Sequence, residues 1–188
     1  MDVGDSKNAN LTGELVISRR LETLSITIDD LLSWGPCRDY LELGRLAAGR
    51  ERWTALDILA LDQPPGDLLW VVLRTELIPE RVLHELACDF AEHVLYLFER
   101  VRPEDGRPRA AIEAKRAWLR GEITDEQLLA AEDGAKSAAV AAAAVAAATS
   151  AAATSAAEWS AEQAERIWQL QHVRGILERE DSRQIDRR

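Results

Sequence analysis

The stretch PERVLHELACDFAEHVLYLFERV, residues 79–101, decides the fold class. Within it Leu83, Leu86, Ala87, Phe90, Val94, Leu97, Phe98 and Val101 recur at intervals of three and four, which lines one face of a 3.6-residue helix with apolar side chains. Glu85, Asp89, Glu92, Tyr96 and Glu99 fall outside that stripe, so the spacing predicts a wet side carrying them. Pro79 suits the first helical position, where its missing N–H costs nothing and its fixed φ is already helical. An amphipathic helix of this length is stable only when other elements cover its apolar face, and the flanking sequence supplies helices.

Downstream, Pro103, Asp105 and Gly106 predict a tight connection, after which Pro108 opens a helix that buries Ala111, Ile112, Trp118 and Leu119 and ends near Gly121. Thr124 caps the next helix, with Gln127 completing a capping box. From Thr124 to about Glu180 the chain can be helical throughout, with Gly134 and Gly175 the points where it would break. Between Ser137 and Ala157 no side chain is larger than Val and none is charged. Alanine favours helix, and a helix without a charged face is expected in the centre of a bundle, where small side chains let neighbours approach closely, the alternative being an exposed helix held by propensity alone. The run from Ala138 to Ala157 lacks the Leu, Ile and Phe that favour bilayer insertion, so it reads as soluble, with no membrane partner.

Upstream, the spacing predicts a helix from Asp67 to about Leu77 behind a Pro64, Pro65, Gly66 turn, one over Trp53–Leu61 and one over Cys37–Gly49. Thr27, with Asp29 and Asp30 in the first turn, caps a short helix through Ser33 or Trp34 that Gly35 and Pro36 stop. Before it, Leu15, Val16 and Ile17, then Leu24, Ile26 and Ile28 alternating with Ser25 and Thr27, carry a weak period of two. The expected architecture is all-α: a multi-helix bundle around a long alanine-rich C-terminal helix, with room for a short N-terminal β-hairpin. One helical domain is expected over residues 13–180, between flexible ends at 1–12 and 181–188.

Composition bounds the function. The 188 residues are 47 % apolar and 30 % charged, a globular balance, and the formal charge is −10. Such a field repels phosphate backbones and anionic lipid, which argues against nucleic acid; the acidic balance serves solubility in most such proteins, and it would also suit a basic protein partner by speeding encounter. Cys37 and Cys88 are too few for a disulfide scaffold, and Met1 to Asn10 is polar with no secretory pattern, so the cytoplasm is expected.

Chemistry-bearing constellations are sparse. His84 and Cys88 lie one helical turn apart, but a metal site needs a third and fourth ligand, and His93 and His172 stand alone. No glycine-rich phosphate loop, nucleophile triad or metalloprotease helix motif is present, and no cofactor is expected. Arg102, Arg107, Arg109, Arg116 and Arg120 alternate with Glu104, Asp105 and Glu113. Helical spacing lets Arg109 meet Glu113 and Glu113 meet Arg116, either as an ion-pair network fastening the turn or as a carboxylate or phosphate pocket. On the last helix Trp159, Leu170, Val173 and Leu177 project to one side, while Trp168 falls nearly opposite, beside Glu165 and His172. A large aromatic on a polar face is a favoured interface anchor, and a helix packed on two sides explains it equally well.

Several segments together resemble a family of bacterial putative immunity proteins associated with polymorphic toxin systems. The likeness begins at Ile28-Asp29-Asp30-Leu31-Leu32-Ser33-Trp34-Gly35-Pro36-Cys37 and continues through Asp67-Leu68-Leu69-Trp70 and Phe90-Ala91. It is most specific at Asp105-Gly106-Arg107-Pro108-Arg109-Ala110-Ala111-Ile112-Glu113-Ala114, followed by Trp118-Leu119-Arg120-Gly121-Glu122-Ile123-Thr124, and covers roughly residues 28 to 178. The resemblance implies a helical, cofactor-free cytoplasmic protein that binds and blocks a cognate protein toxin, with Trp34, Cys37, Trp70, Asp105, Arg107, Pro108, Arg109, Glu113 and Trp118 as structural motif residues. Expected partner-binding residues are Trp168, Glu165 and His172, with the carboxylates Glu85, Asp89 and Glu92. The competing readings are a self-associating helical scaffold, a homo-oligomer built through the alanine helix, and an enzyme using Glu113 and the arginines.

Overall fold

A computed structural model describes residues 24–36, 49–136 and 155–185, the last stretch with side chains over 161–182. The expected N-terminal tail, the Leu15–Ile17 half of the hairpin, most of the Cys37–Gly49 helix and the alanine tract over 137–154 lie outside the described residues. The described chain is all-α, and it divides into two compact units, Met1–Glu80 with Gln163–Arg188, and Arg81–Glu162.

In the first unit three short helices are set by their ends. Helix α1 (Ile28–Ser33) starts at Thr27, whose hydroxyl accepts the Asp30 N–H while the Asp30 carboxylate accepts the Thr27 N–H at 2.8 Å. Gly35, at φ +62°, carries the chain out of it in a conformation that other residues adopt at a cost. Helix α2 (Ala55–Leu59) repeats the same box with Thr54 and Asp57, shorter at both ends than the predicted Trp53–Leu61. Trp53 is instead paired with Ile26 in an isolated antiparallel bridge, their amides and carbonyls exchanging bonds of 2.8 and 2.9 Å. The period of two at Leu24–Ile28 therefore yields one bridge across 27 positions, and Ile28 already belongs to α1.

Helix α3 (Pro65–Val72) corrects both predicted boundaries. Pro65 is its first residue, so the Pro-Pro-Gly cluster opens the helix instead of preceding it. It ends five residues before Leu77, because Leu73 leaves helical ψ and the Arg74 carbonyl then accepts the N–H groups of Leu77 and Ile78. That turn drives Leu77 and Ile78 completely inside, and Pro79 disfavours helix at the residue before it. The core is closed by the last part of the long helix, where Val173 and Leu177, one turn apart, are buried along with Ile58, Leu59, Leu69 and Val72. Each such side chain contributes about 1.5–3 kcal/mol. Between Val173 and Leu177, Arg174 donates to the carbonyl of Leu59, the last residue of α2, where the helix dipole is negative.

In the second unit helix α4 (Glu80–Val101), helix α5 (Arg107–Leu119) and helix α6 (residues 125–136) follow one another closely. Helix α4 exists as predicted, and its predicted stripe faces inward in part: Leu86 is buried and Leu83, Phe90, Val94 and Phe98 are half-buried, while Ala87 is exposed. Its buried residues are Val82, Leu86, Cys88 and Leu95, whereas Leu97 is 49 % and Val101 57 % exposed. Helix α5 begins at Arg107, with Pro108 second, and none of its residues is fully buried; Ala111, Ile112, Trp118 and Leu119 are half-buried. It stops as the sequence indicates, with Gly121 at φ +74° and a double closure: Gly121 N–H to Trp118 at 2.9 Å and Glu122 N–H to Ala117 at 3.0 Å. The Thr124–Gln127 capping box forms as expected, and α6 buries Leu128. Helix α7 (Ser155–Ile185) runs unbroken through Gly175, as α6 does through Gly134.

Candidate partner-binding surface

The chemistry of the second unit is concentrated where α4 meets α5. From α4 the carboxylates of Asp89, Glu92 and Glu99 face α5, and from α5 the guanidiniums of Arg109 and Arg116, seven residues apart, face back. Arg116 holds Asp89 at 2.9 Å and Glu92 at 2.5 Å, and Arg109 holds Glu99 at 2.7 Å. The expected pairing of Glu113 with Arg109 and Arg116 along their own helix is replaced by these bonds between helices, and Glu113 is exposed. The predicted wet side holds at Glu85, Glu92 and Tyr96, which are exposed, and is corrected at Asp89 and Glu99, which are half-buried against α5 in a seam of charge; Glu85 lies beside Arg81 at 3.2 Å.

Cys88 lies beside that seam. Burial pushes its thiol above the ordinary range, partly offset by the nearby Arg116 guanidinium, so it stays protonated and unreactive. His84 packs edge-on against Trp118 at 5.7 Å, and the same indole carries the Lys115 ammonium at 4.3 Å and donates its N–H to Asp125 at 2.6 Å. One ring thus joins α4, α5 and α6. Among the described residues no group of three or more His, Cys, Asp or Glu is placed to hold a metal ion. No described helix is long and apolar enough to cross a membrane.

The Asp105 turn is a local clasp. Its carboxylate accepts the Arg107 backbone N–H at 3.2 Å and two side-chain N–H groups at 2.8 and 2.6 Å. The hydrogen bonds from Arg107 hold the Asp105 carboxyl down to about 2, against an ordinary value of 3.8. This favours the structural alternative for the motif, because Arg107, Arg109, Arg116 and Arg120 each lie against a carboxylate of the chain itself.

In the first unit Trp168 is half-buried and stacks on His172 at 5.0 Å and 13°, while Glu165 accepts from Gln169 at 3.0 Å. Three expected surface residues thus share one edge of α7, next to exposed Ile167. The structure also assembles a corner that the sequence did not announce. Trp34, just past α1, meets Trp70 of α3 edge to face at 6.3 Å, and the Arg74 guanidinium lies 4.2 Å over one ring and 4.5 Å over the other. Arg74 follows Trp70 by one helical turn, the only hint its position carries.

A family model described as Imm-5 like putative immunity protein matches residues 74–176. This chain belongs to that family. The matched span is more than half of the chain and contains α4, α5, α6 and the motif from Asp105 to Thr124. It begins at Arg74, so the Ile28–Cys37 and Asp67–Trp70 segments of the resemblance fall before it. Comparison with curated proteins and with solved structures finds no match. In the second unit the Imm-5 like match covers the charge seam and the Trp118 junction.

Proposed function

We propose that this protein is an immunity protein that binds a cognate protein toxin and silences it by covering its working surface, without chemistry of its own. The observation that carries the reading is family membership over residues 74–176. The physical setting supports it. A chain with charge −10 attracts a basic partner from a distance, and a set of cross-braced helices presents rigid surface at little entropic cost on binding. Among the expected contact residues, Glu85 and the half-exposed Glu92 contribute charge on α4, and Trp168 with His172 offers a stacked aromatic edge on α7. On this reading the protein meets its toxin in the cytoplasm of the producing cell.

The test begins with the neighbouring reading frame, where the proposal expects a secreted protein with a toxin-like C-terminal domain, and uses that domain as the partner. Calorimetry should give a one-to-one complex whose association slows as salt is raised, because steering between opposite charges is screened over about 10 Å at 0.1 M salt. Trp168→Ala should weaken capture about tenfold or more with helicity unchanged, whereas loss of helicity would assign that ring to the core. Failure of the wild-type chain to bind that domain, together with no protection of cells expressing it, overturns the proposal.

A further inference from the structure

We propose that the corner formed by Leu32, Trp34, Trp70 and Arg74 is a docking anchor for the protein partner, which supplies a carboxylate to Arg74 and an apolar side chain to Trp70 and Leu32. The inference rests on the reading of the chain as a toxin-binding protein and says where, and through what chemistry, the partner is held.

Arg74 is the centre of the argument. Arg50, Arg81, Arg107, Arg109, Arg116 and Arg120 each have a carboxylate of the chain within ion-pair distance. Arg74 has none among the described residues: its Nε–H donates to the Trp70 carbonyl at 3.3 Å, and its two terminal nitrogens have no acceptor there. Arg52, bonded to Ser25, and Arg174, bonded to the Leu59 carbonyl, likewise meet no carboxylate among the described residues; Arg74 differs in lying against two indole rings. Its guanidinium carbon lies 4.2 and 4.5 Å from two indole centres that are 6.3 Å apart, so two rings flank it and narrow its freedom. A guanidinium held this way is already ordered for a planar, two-pronged bond to a carboxylate, which lysine cannot reproduce.

The rim has the matching chemistry. Trp70 is 40 % and Leu32 39 % exposed, two of the larger apolar side chains left to solvent in a unit that buries Leu31, Leu68 and Leu69 beside them. Trp and Arg together are the side chains that dominate binding energy at the centres of interfaces, because they bury large area with few rotors. Asp29 and Asp30 on α1 are exposed, and Asp30 is kept ionised by the Thr27 N–H, which suits the basic surroundings expected of this partner. Trp34 and Trp70 precede the family-matched span, which starts at Arg74.

The experiment measures binding of the full chain to the toxin domain named above, for wild type, Arg74→Lys and Trp70→Ala. Arg74→Lys keeps the charge and the aliphatic stem, so it tests the fork without unfolding the corner. We expect Arg74→Lys to weaken binding about tenfold and Trp70→Ala about 30-fold, with unchanged circular dichroism for the lysine variant. Hydrogen exchange over residues 65–76 should slow in the complex. Tight binding by wild type with both variants within twofold overturns the anchor and leaves the toxin-binding reading standing. No binding by wild type overturns both.

Discussion

Replacing Trp118 tests whether one ring fastens three helices. The indole is half-buried between α4 and α5, packs against His84, carries Lys115 on its face and bonds Asp125 through its N–H. Truncation to alanine exposes or empties about 100 Å² of apolar contact, or about 2.5 kcal/mol at 25 cal/mol per Å². The bond to an exposed carboxylate adds about 1 kcal/mol and the cation contact about 0.5 kcal/mol. Trp118→Ala should therefore cost about 3–4 kcal/mol, and Trp118→Phe, which keeps most of the packing, about 1–1.5 kcal/mol. In a chain of this length those losses correspond to melting shifts of roughly 6–14 °C and 2–5 °C. Urea unfolding followed by far-ultraviolet circular dichroism reads both. A Trp118→Ala variant within about 1 kcal/mol of wild type would refute the junction, since a surface ring of no structural consequence costs no more.

Two further perturbations address the turns that bound α5. Hydrogen bonds from Arg107 hold Asp105 to about 2, below its ordinary 3.8, so its contribution to stability is complete above the ordinary value and is lost as pH falls towards the depressed one. Glu122, lowered by Arg120, acts in the same direction, and Asp105→Asn should flatten the fall in stability measured by urea unfolding between about pH 4 and pH 2. Gly121, at φ +74° with open space where a Cβ would stand, should lose about 1 kcal/mol on substitution by alanine, whereas Gly106→Ala, with equal space and ordinary φ, should change stability by less than about 0.5 kcal/mol in the same unfolding assay.

The helix ends were legible because capping is local chemistry. Thr27 caps α1 as predicted, with Asp30 completing a box that was not predicted, Thr124 with Gln127 forms the predicted box, and Gly121 closes α5 where expected. Thr54 with Asp57 carries the same signature and was hidden inside a helix predicted to start at Trp53, which the bridge to Ile26 claims instead. The covered face of α4 was legible only in part: Leu86 is buried and Leu83, Phe90, Val94 and Phe98 half-buried as the stripe predicts, whereas Leu97 and Val101 are exposed. Periodicity registers only apolar side chains, and α4 also meets α5 through Asp89, Glu92 and Glu99, which look like a solvated face until Arg109 and Arg116 are brought opposite. For the same reason sequence spacing favoured Glu113 as the partner of those arginines: it sees neighbours along one helix and none across two. Trp34, Trp70 and Arg74 likewise become a cluster only once α1 and α3 pack.

Blocking by coverage and inactivation by chemistry differ in stoichiometry, and a single titration separates them. The toxin domain that the proposal expects in the neighbouring reading frame is assayed for residual activity while this protein is added from one-tenth to two equivalents. Coverage predicts a straight decline that ends at about one equivalent and is reversed when the complex is dissociated. Complete and lasting inactivation at one-tenth of an equivalent, or full toxin activity at two, would contradict it.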